Sequence, residues 1–242
     1  MFTYIWHTIF FDPIYNTLVF FIDTIRNGDV GLAIIATVIV VKMLLLPLSI
    51  KAAKTQKIMR EIEPKMKELK ERLKDDKEGQ AREMMLIYKE AKLNPFASVF
   101  LVFLQIPIVI ALYYSVARGG GVHLPGINTA LLYSFIHAPQ VVTMHFLGVV
   151  DIAAKSIWLA IAAGITQYIF THMTLPKMAP KVDGAPADMK DDFMRNMQLQ
   201  MKYVMPVLIG FIAYTLSAAI ALYFMVSNLV AIAQEFYIRK HR

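Results

Sequence analysis

The sequence predicts an all-α membrane protein that crosses the bilayer several times, and three observations carry that expectation. Hydrophobic residues make up 57% of the 242 positions and the mean hydropathy is +0.51, against an apolar share of about 45–50% in ordinary soluble domains. Val30 to Ile50 is an apolar run of 21 residues broken by one charge, Lys42; as a helix it measures about 31 Å, the thickness of a hydrocarbon core of about 30 Å. Further apolar segments of near-spanning length follow at Pro95–Val116, Lys155–Leu175 and Tyr203–Gln234, separated by charged or proline-bearing stretches. The architecture expected is a five-helix transmembrane core with a cytoplasmic helical hairpin and an N-terminal interfacial helix.

Residues 1–29 lack Lys and Arg before Arg26 and show no small-residue cleavage site, so a cleaved signal peptide is not expected. Tyr4, Trp6, Phe10, Phe11 and Tyr15 resemble interfacial anchors. Pro13 can open a short helix to Thr24, read as lying on the membrane; a signal anchor is the competing reading. The first span is 30–50. In 51–94 the character changes, with thirteen Lys/Arg against nine Asp/Glu. There Ile58, Ile62, Met66, Leu69 and Leu73 recur at helical spacing. Pro64 predicts a bend, and Asp75-Asp76-Lys77-Glu78-Gly79 a turn. A second helix with Met84, Met85, Tyr88 and Ala91 on its apolar side should stop before Asn94-Pro95. The product is an antiparallel hairpin outside the membrane; a solvated charged linker is the alternative.

The second span, 95–116, carries Gln105 two residues before Pro107, which should kink it. A charge-poor external loop, 117–154, leads to the third span, 155–175, with Thr166 and Gln167 inside it. A cytoplasmic loop, 176–196, precedes 32 residues without charge, Tyr203–Gln234, long for one span and short for two. The distribution of basic residues decides for two. Five spans with the N-terminus outside put twenty-one Lys/Arg on the cytoplasmic side and three outside. The fourth and fifth spans are then 197–216 and 218–238, with a basic cytoplasmic tail at 239–242 and a turn near Ser217-Ala218-Ala219. Helices this short imply local thinning of the bilayer.

Composition narrows the chemistry. The chain has no Cys, and its six His are scattered without metal-ligand spacing. No phosphate loop, dinucleotide-binding or nucleophile-elbow motif is present, so an enzyme is not expected, nor a cofactor or metal. The net charge of +7 points to anionic lipid or nucleic acid only where it is clustered. The sharpest feature is Lys42, about 18 Å from Val30 and 13 Å from Lys51 by helix rise. A lysine at that depth costs about 2.5–3.5 kcal/mol on insertion scales. Snorkelling reaches about 6 Å, which leaves a shortfall that water must meet. Gln105, Thr166, Gln167, Ser227 and Asn228 are the other polar residues within the spans. Interhelical hydrogen bonding is the plain reading of Thr166 and Ser227, and a wetted groove the reading of Lys42 and Gln105.

Several stretches together, GLAIIATVIVVKMLLLPL, REMMLIYKEAKLNPF, LQIPIVIALYYS and LYFMVSNLVAIAQE, resemble the YidC/Oxa/Alb family of membrane protein insertases, in matching order from about Phe11 onward and in the short bacterial form. The resemblance implies five core helices around a hydrophilic groove open to the cytoplasm and to lipid. It implies insertion of nascent membrane protein clients without nucleotide hydrolysis, in the cell inner membrane. Ribosome and Sec translocon are implied partners of the hairpin and loops; DNA is not. Lys42 stands where the family usually has Arg, losing the five-donor fork. Thr37 is a groove candidate by the same resemblance, although the polar residue commonly four before the Arg is Val38 here. Ala218-Ala219 replace the usual Ser-Gly. A secondary transporter with a buried Lys at its site remains the alternative, although no internal repeat is found. An intramembrane hydrolase lacks a nucleophile–base pair.

Overall fold

The computed structural model describes residues 2–74, 76–91, 96–118, 121–175, 196–197 and 199–240. Asp75 of the expected turn, the Asn94-Pro95 stop, the loop at 176–195 and the last two residues of the tail lie outside them. The chain forms two compact units, one made of 1–43 with 107–242 and the other of 44–106. Among the described residues the regular structure is helical apart from one minimal hairpin. Among the described residues, three helical stretches are long and apolar enough to cross a membrane by length and composition: Thr3–Thr24, Val30–Thr55 and Ala218–Lys240. Shorter apolar helices lie at Phe103–Ala117 and Gln200–Leu216. The protein is an all-α membrane protein.

Helix begins well before Pro13. α1 (Phe2–Ile5) passes through a π-helical stretch, Trp6–Phe11, into α2 (Asp12–Thr24). The switch of hydrogen-bond register there, with the Asp12 N–H reaching the His7 carbonyl, falls beside Pro13, which has no N–H to donate. α3 (Val30–Arg72) is one helix of 43 residues, with Pro47 and Pro64 inside it. The apolar span and the charged stretch after Lys51 thus share one helix: a change from apolar to charged residues alters the surroundings a helix prefers without ending it.

The 44–106 unit holds the outer part of α3 and α4 (Lys77–Glu90). Asp76 caps α4, accepting from the Gly79 N–H at 2.9 Å. Gly79 thus sits in the first helical turn. Met66 and Leu69 are buried, Arg72 pairs with Glu83, and the Gln80 side chain reaches the Lys70 carbonyl at 3.3 Å. Met85, expected on the apolar side, is exposed, and Ile87 is half-buried. α5 (Phe96–Ala117) carries Pro107 internally, at the boundary between the units.

In the other unit, α6 (Ile157–Thr174) packs against α7 (Met205–Leu216) and α8 (Ala218–Lys240). Small residues let the three meet closely: Ala160, Ala163, Ala213 and Ala221 form a buried cluster. Ser217, in extended conformation, is the only residue between α7 and α8. The segment before α6 is folded rather than loose. It contains β1 (His145–Phe146) paired antiparallel with β2 (Val150–Asp151). It also ties itself to three helices. The Asn16 side chain donates to the Leu131 carbonyl at 2.9 Å and accepts from the Tyr133 N–H at 2.7 Å. Thr143 bridges Gly28 and Val30. The first N–H groups of α8, on Ala218 and Ala219, donate to the Ala154 and Ile152 carbonyls, satisfying donors that a helix start otherwise leaves open.

Candidate functional site

Lys42 lies in α3 in the 1–43/107–242 unit and is half-buried. Among the described residues no carboxylate lies within ion-pair distance of it. One cation is thus set in an apolar helix with no counter-charge among the described residues, the arrangement that burial makes costly unless water reaches it. Thr37 is buried on the same helix, but its hydroxyl donates to its own helix, to the Ala33 carbonyl at 2.8 Å. That bond satisfies the hydroxyl locally and leaves it no outward role as a donor. Gln105 is half-buried on α5 and belongs to the other unit.

The structure brings two of the predicted residues together. Asn228 of α8 donates to Thr166 Oγ1 of α6 at 3.4 Å, a long hydrogen bond, while the Thr166 hydroxyl donates into its own helix, to Ala162 and Ala163. Thr166 thus links α6 to α8 through this one long bond. Gln167 bonds within α6, its amide reaching Thr171 Oγ1 at 3.2 Å. Ser227 is buried one turn from Tyr223. The hydroxyl of Tyr223 lies near that of Ser227 but makes no hydrogen bond of good geometry among the described residues. It is the buried polar group that sequence reasoning missed; an isolated Tyr in an apolar run gives no periodic signal.

Two cavities among the described residues lie elsewhere. One, of about 570 Å³, is an apolar groove between α6 and α7; the other, of about 260 Å³, lies among Trp6, Phe11, Tyr114 and Arg118. Neither is lined by a predicted groove residue. No cluster of metal-ligating side chains occurs among the described residues.

Sequence reasoning also missed the groups that hold the 121–156 segment in place. Asp29, 7% exposed, accepts with one oxygen from the Leu32 N–H at 3.0 Å, capping α3, and with the other from the Leu147 N–H at 2.8 Å. Leu147 has φ +51 and Gly148 φ +74, a left-handed pair that closes the β1–β2 turn. Gly31 leaves room for it: a Cβ there would stand 2.4 Å from the Phe146 ring. Asp before an apolar run was a readable cap signal; its second partner, 118 residues away, was not. Tyr133, held by Asn16, has its phenol raised above the ordinary value by desolvation and by the Asp12 carboxylate.

The model of a family described as 60Kd inner membrane protein matches residues 21–242. Membrane protein insertase YidC of Clostridium tetani is 32% identical over 219 residues, covering 90% of this chain and 86% of that protein. The protein of the same name from Geotalea daltonii is 31% identical over 239 residues, and that from Shewanella woodyi 32% over 228. They cover 97% and 93% of this chain but 38% and 36% of their own lengths, so the chain spans little more than a third of these longer relatives. With the family model matching residues 21–242 and a relative 32% identical over most of both chains, the chain belongs to the 60Kd inner membrane protein family, the family of the YidC insertases.

Proposed function

We propose that the protein is a membrane protein insertase that moves short hydrophilic segments of nascent clients through a hydrophilic groove and releases their transmembrane helices into lipid. The observation that carries this reading is Lys42: a half-buried cation in an apolar helix, with no carboxylate paired to it among the described residues. Family membership and relatives named as insertases support it. In a wet groove this charge attracts acidic residues in a client's translocated segment, and its field is strengthened by the apolar surroundings. Gln167, in the same unit, adds hydrogen-bonding capacity. Thr37, Thr166, Ser227 and Asn228 are the further polar residues assigned to the groove, with the Asn228–Thr166 bond bracing α8 against α6. The client's apolar helix leaves sideways, driven by burial of apolar area at about 25 cal/mol per Å². No nucleotide or cofactor takes part.

Five spans, with the N-terminus outside and the C-terminus cytoplasmic, place the basic hairpin on the side where clients are made. Hairpin and cytoplasmic loops are then the surfaces for ribosome and Sec translocon. The test is reconstitution in liposomes with a short single-span client bearing acidic residues, without nucleotide, scored by protease protection. The expected result is a protected client fragment that protein-free liposomes do not give. Equal protection in both contradicts the proposal.

A further inference from the structure

The groove between α6 and α7 exists because side chains are missing at a helix crossing. Gly164 and Gly210 face each other there. A Cβ on Gly164 would stand 3.3 Å from the Pro206 carbonyl, and one on Gly210 3.3 Å from that of Ala160. The backbones are thus nearly in contact, and among the described residues nothing fills the space above them. Ile161, Ile165, Val207 and Phe211 wall the groove, and each is well exposed. Its volume, about 570 Å³, falls in the range of small-ligand sites, about 300–1,000 Å³. From Ile157 to Tyr168 it runs along about 16 Å of helix, the depth of one leaflet of a core about 30 Å thick.

The Ile157 end is chemically marked. Tyr214 lines it, and Lys155 places its ammonium 5.8 Å from the centre of the Tyr214 ring. Lys155 is exposed and has no ion-pair partner among the described residues. Trp158 beside it is 77% exposed, the placement of a headgroup-level anchor. An apolar trough one leaflet deep, with a tyrosine and an exposed cation that has no carboxylate partner among the described residues at its mouth, complements a molecule with an acyl chain and an anionic head.

We infer that this groove is a binding site for an anionic phospholipid of the leaflet on the Lys155 side. One acyl chain lies over the Gly164–Gly210 crossing, and the phosphate meets Lys155 and Tyr214. The inference does not depend on client insertion, because the groove contains none of the residues assigned to that function. One basic residue near an anionic headgroup sets the size of the preference, about fivefold over a zwitterionic lipid of the same chain length.

The experiment uses the full chain with Trp6→Phe, Trp158→Phe and Phe211→Trp, so that the one indole reports from the groove wall. Quenching is compared in bilayers containing brominated phosphatidylglycerol or brominated phosphatidylcholine at equal mole fraction. The expected result is about fivefold preferential quenching by the anionic lipid, kept in Lys155→Arg and reduced to parity in Lys155→Gln. A control indole at Leu229, an exposed position of α8 outside the groove, should show parity throughout. Parity at position 211 with Lys155 intact means annular lipid only and overturns the proposal. So does a preference that survives Lys155→Gln, or one equally strong at position 229.

Discussion

Replacing Asp29 by Ala should detach the 121–156 segment from α3, and the cost can be worked from the contacts. The carboxylate is 7% exposed and accepts two backbone hydrogen bonds, at 3.0 Å from Leu32 and 2.8 Å from Leu147. Loss of a helix N-cap costs about 1 kcal/mol. Loss of a hydrogen bond to a charged acceptor, with its donor left in a part-buried site, costs about 1.5–3 kcal/mol. Together these give about 3 kcal/mol. For a chain of this size about 1 kcal/mol corresponds to 2–4 °C in Tm, so a loss of about 6–12 °C is expected in detergent. Asp29→Asn keeps one good acceptor and should lose about half as much. The loss should be localised: amide hydrogen exchange should quicken at residues 143–150, where Leu147 holds its left-handed turn, and stay unchanged in α6. An unchanged Tm, with residues 143–150 exchanging as in the parent, would refute the assignment of Asp29 as the anchor.

Asn16→Leu should destabilise by about 2–3 kcal/mol, since it leaves the Leu131 carbonyl and the Tyr133 N–H without their partner; thermal unfolding in detergent measures it. Thr166→Val removes only a long bond from Asn228 and should cost about 0.6 kcal/mol, the average for such bonds in membranes, a shift of no more than about 2 °C in Tm. Deleting residues 64–92 should leave the spans inserted, as judged by carbonate resistance, and abolish client insertion in liposomes; full insertion by the deletion variant would reduce the hairpin to a linker.

What the sequence made legible follows from where each signal is stored. The apolar runs at Val30–Ile50 and Ala218 onward are local, and the structure has helices there. The continuity of α3 past Lys51 was not legible, because the residues after it are good helix formers and only their polarity changes. The N-terminal helix was placed too late because Pro13 reads as a helix start, whereas here it sits inside helix beside a π-helical stretch. The folding of 121–156 was hidden for a different reason. Its anchors pair Asn16 with Leu131 and Tyr133, and Asp29 with Leu147, more than a hundred residues apart, and no periodicity encodes such pairs. Within the candidate site, polarity in an apolar helix singled out Thr166 and Asn228, which the fold joins. It said nothing of Thr37 turning its hydroxyl back to Ala33.

The central claim is that the Lys42 charge acts on acidic client segments, and one comparison tests it most directly. Liposomes carrying the parent protein, Lys42→Arg or Lys42→Met are given the same single-span client in two forms, with acidic residues in its translocated segment or with those residues neutralised. Removing the charge makes the first span more apolar, by about 2.5–3.5 kcal/mol on insertion scales, so the Met variant should assemble at least as well as the parent. The account predicts that Lys42→Arg inserts both clients, and that Lys42→Met loses the acidic client while largely retaining the neutral one. Equal loss of both clients, or no loss of either, would contradict it.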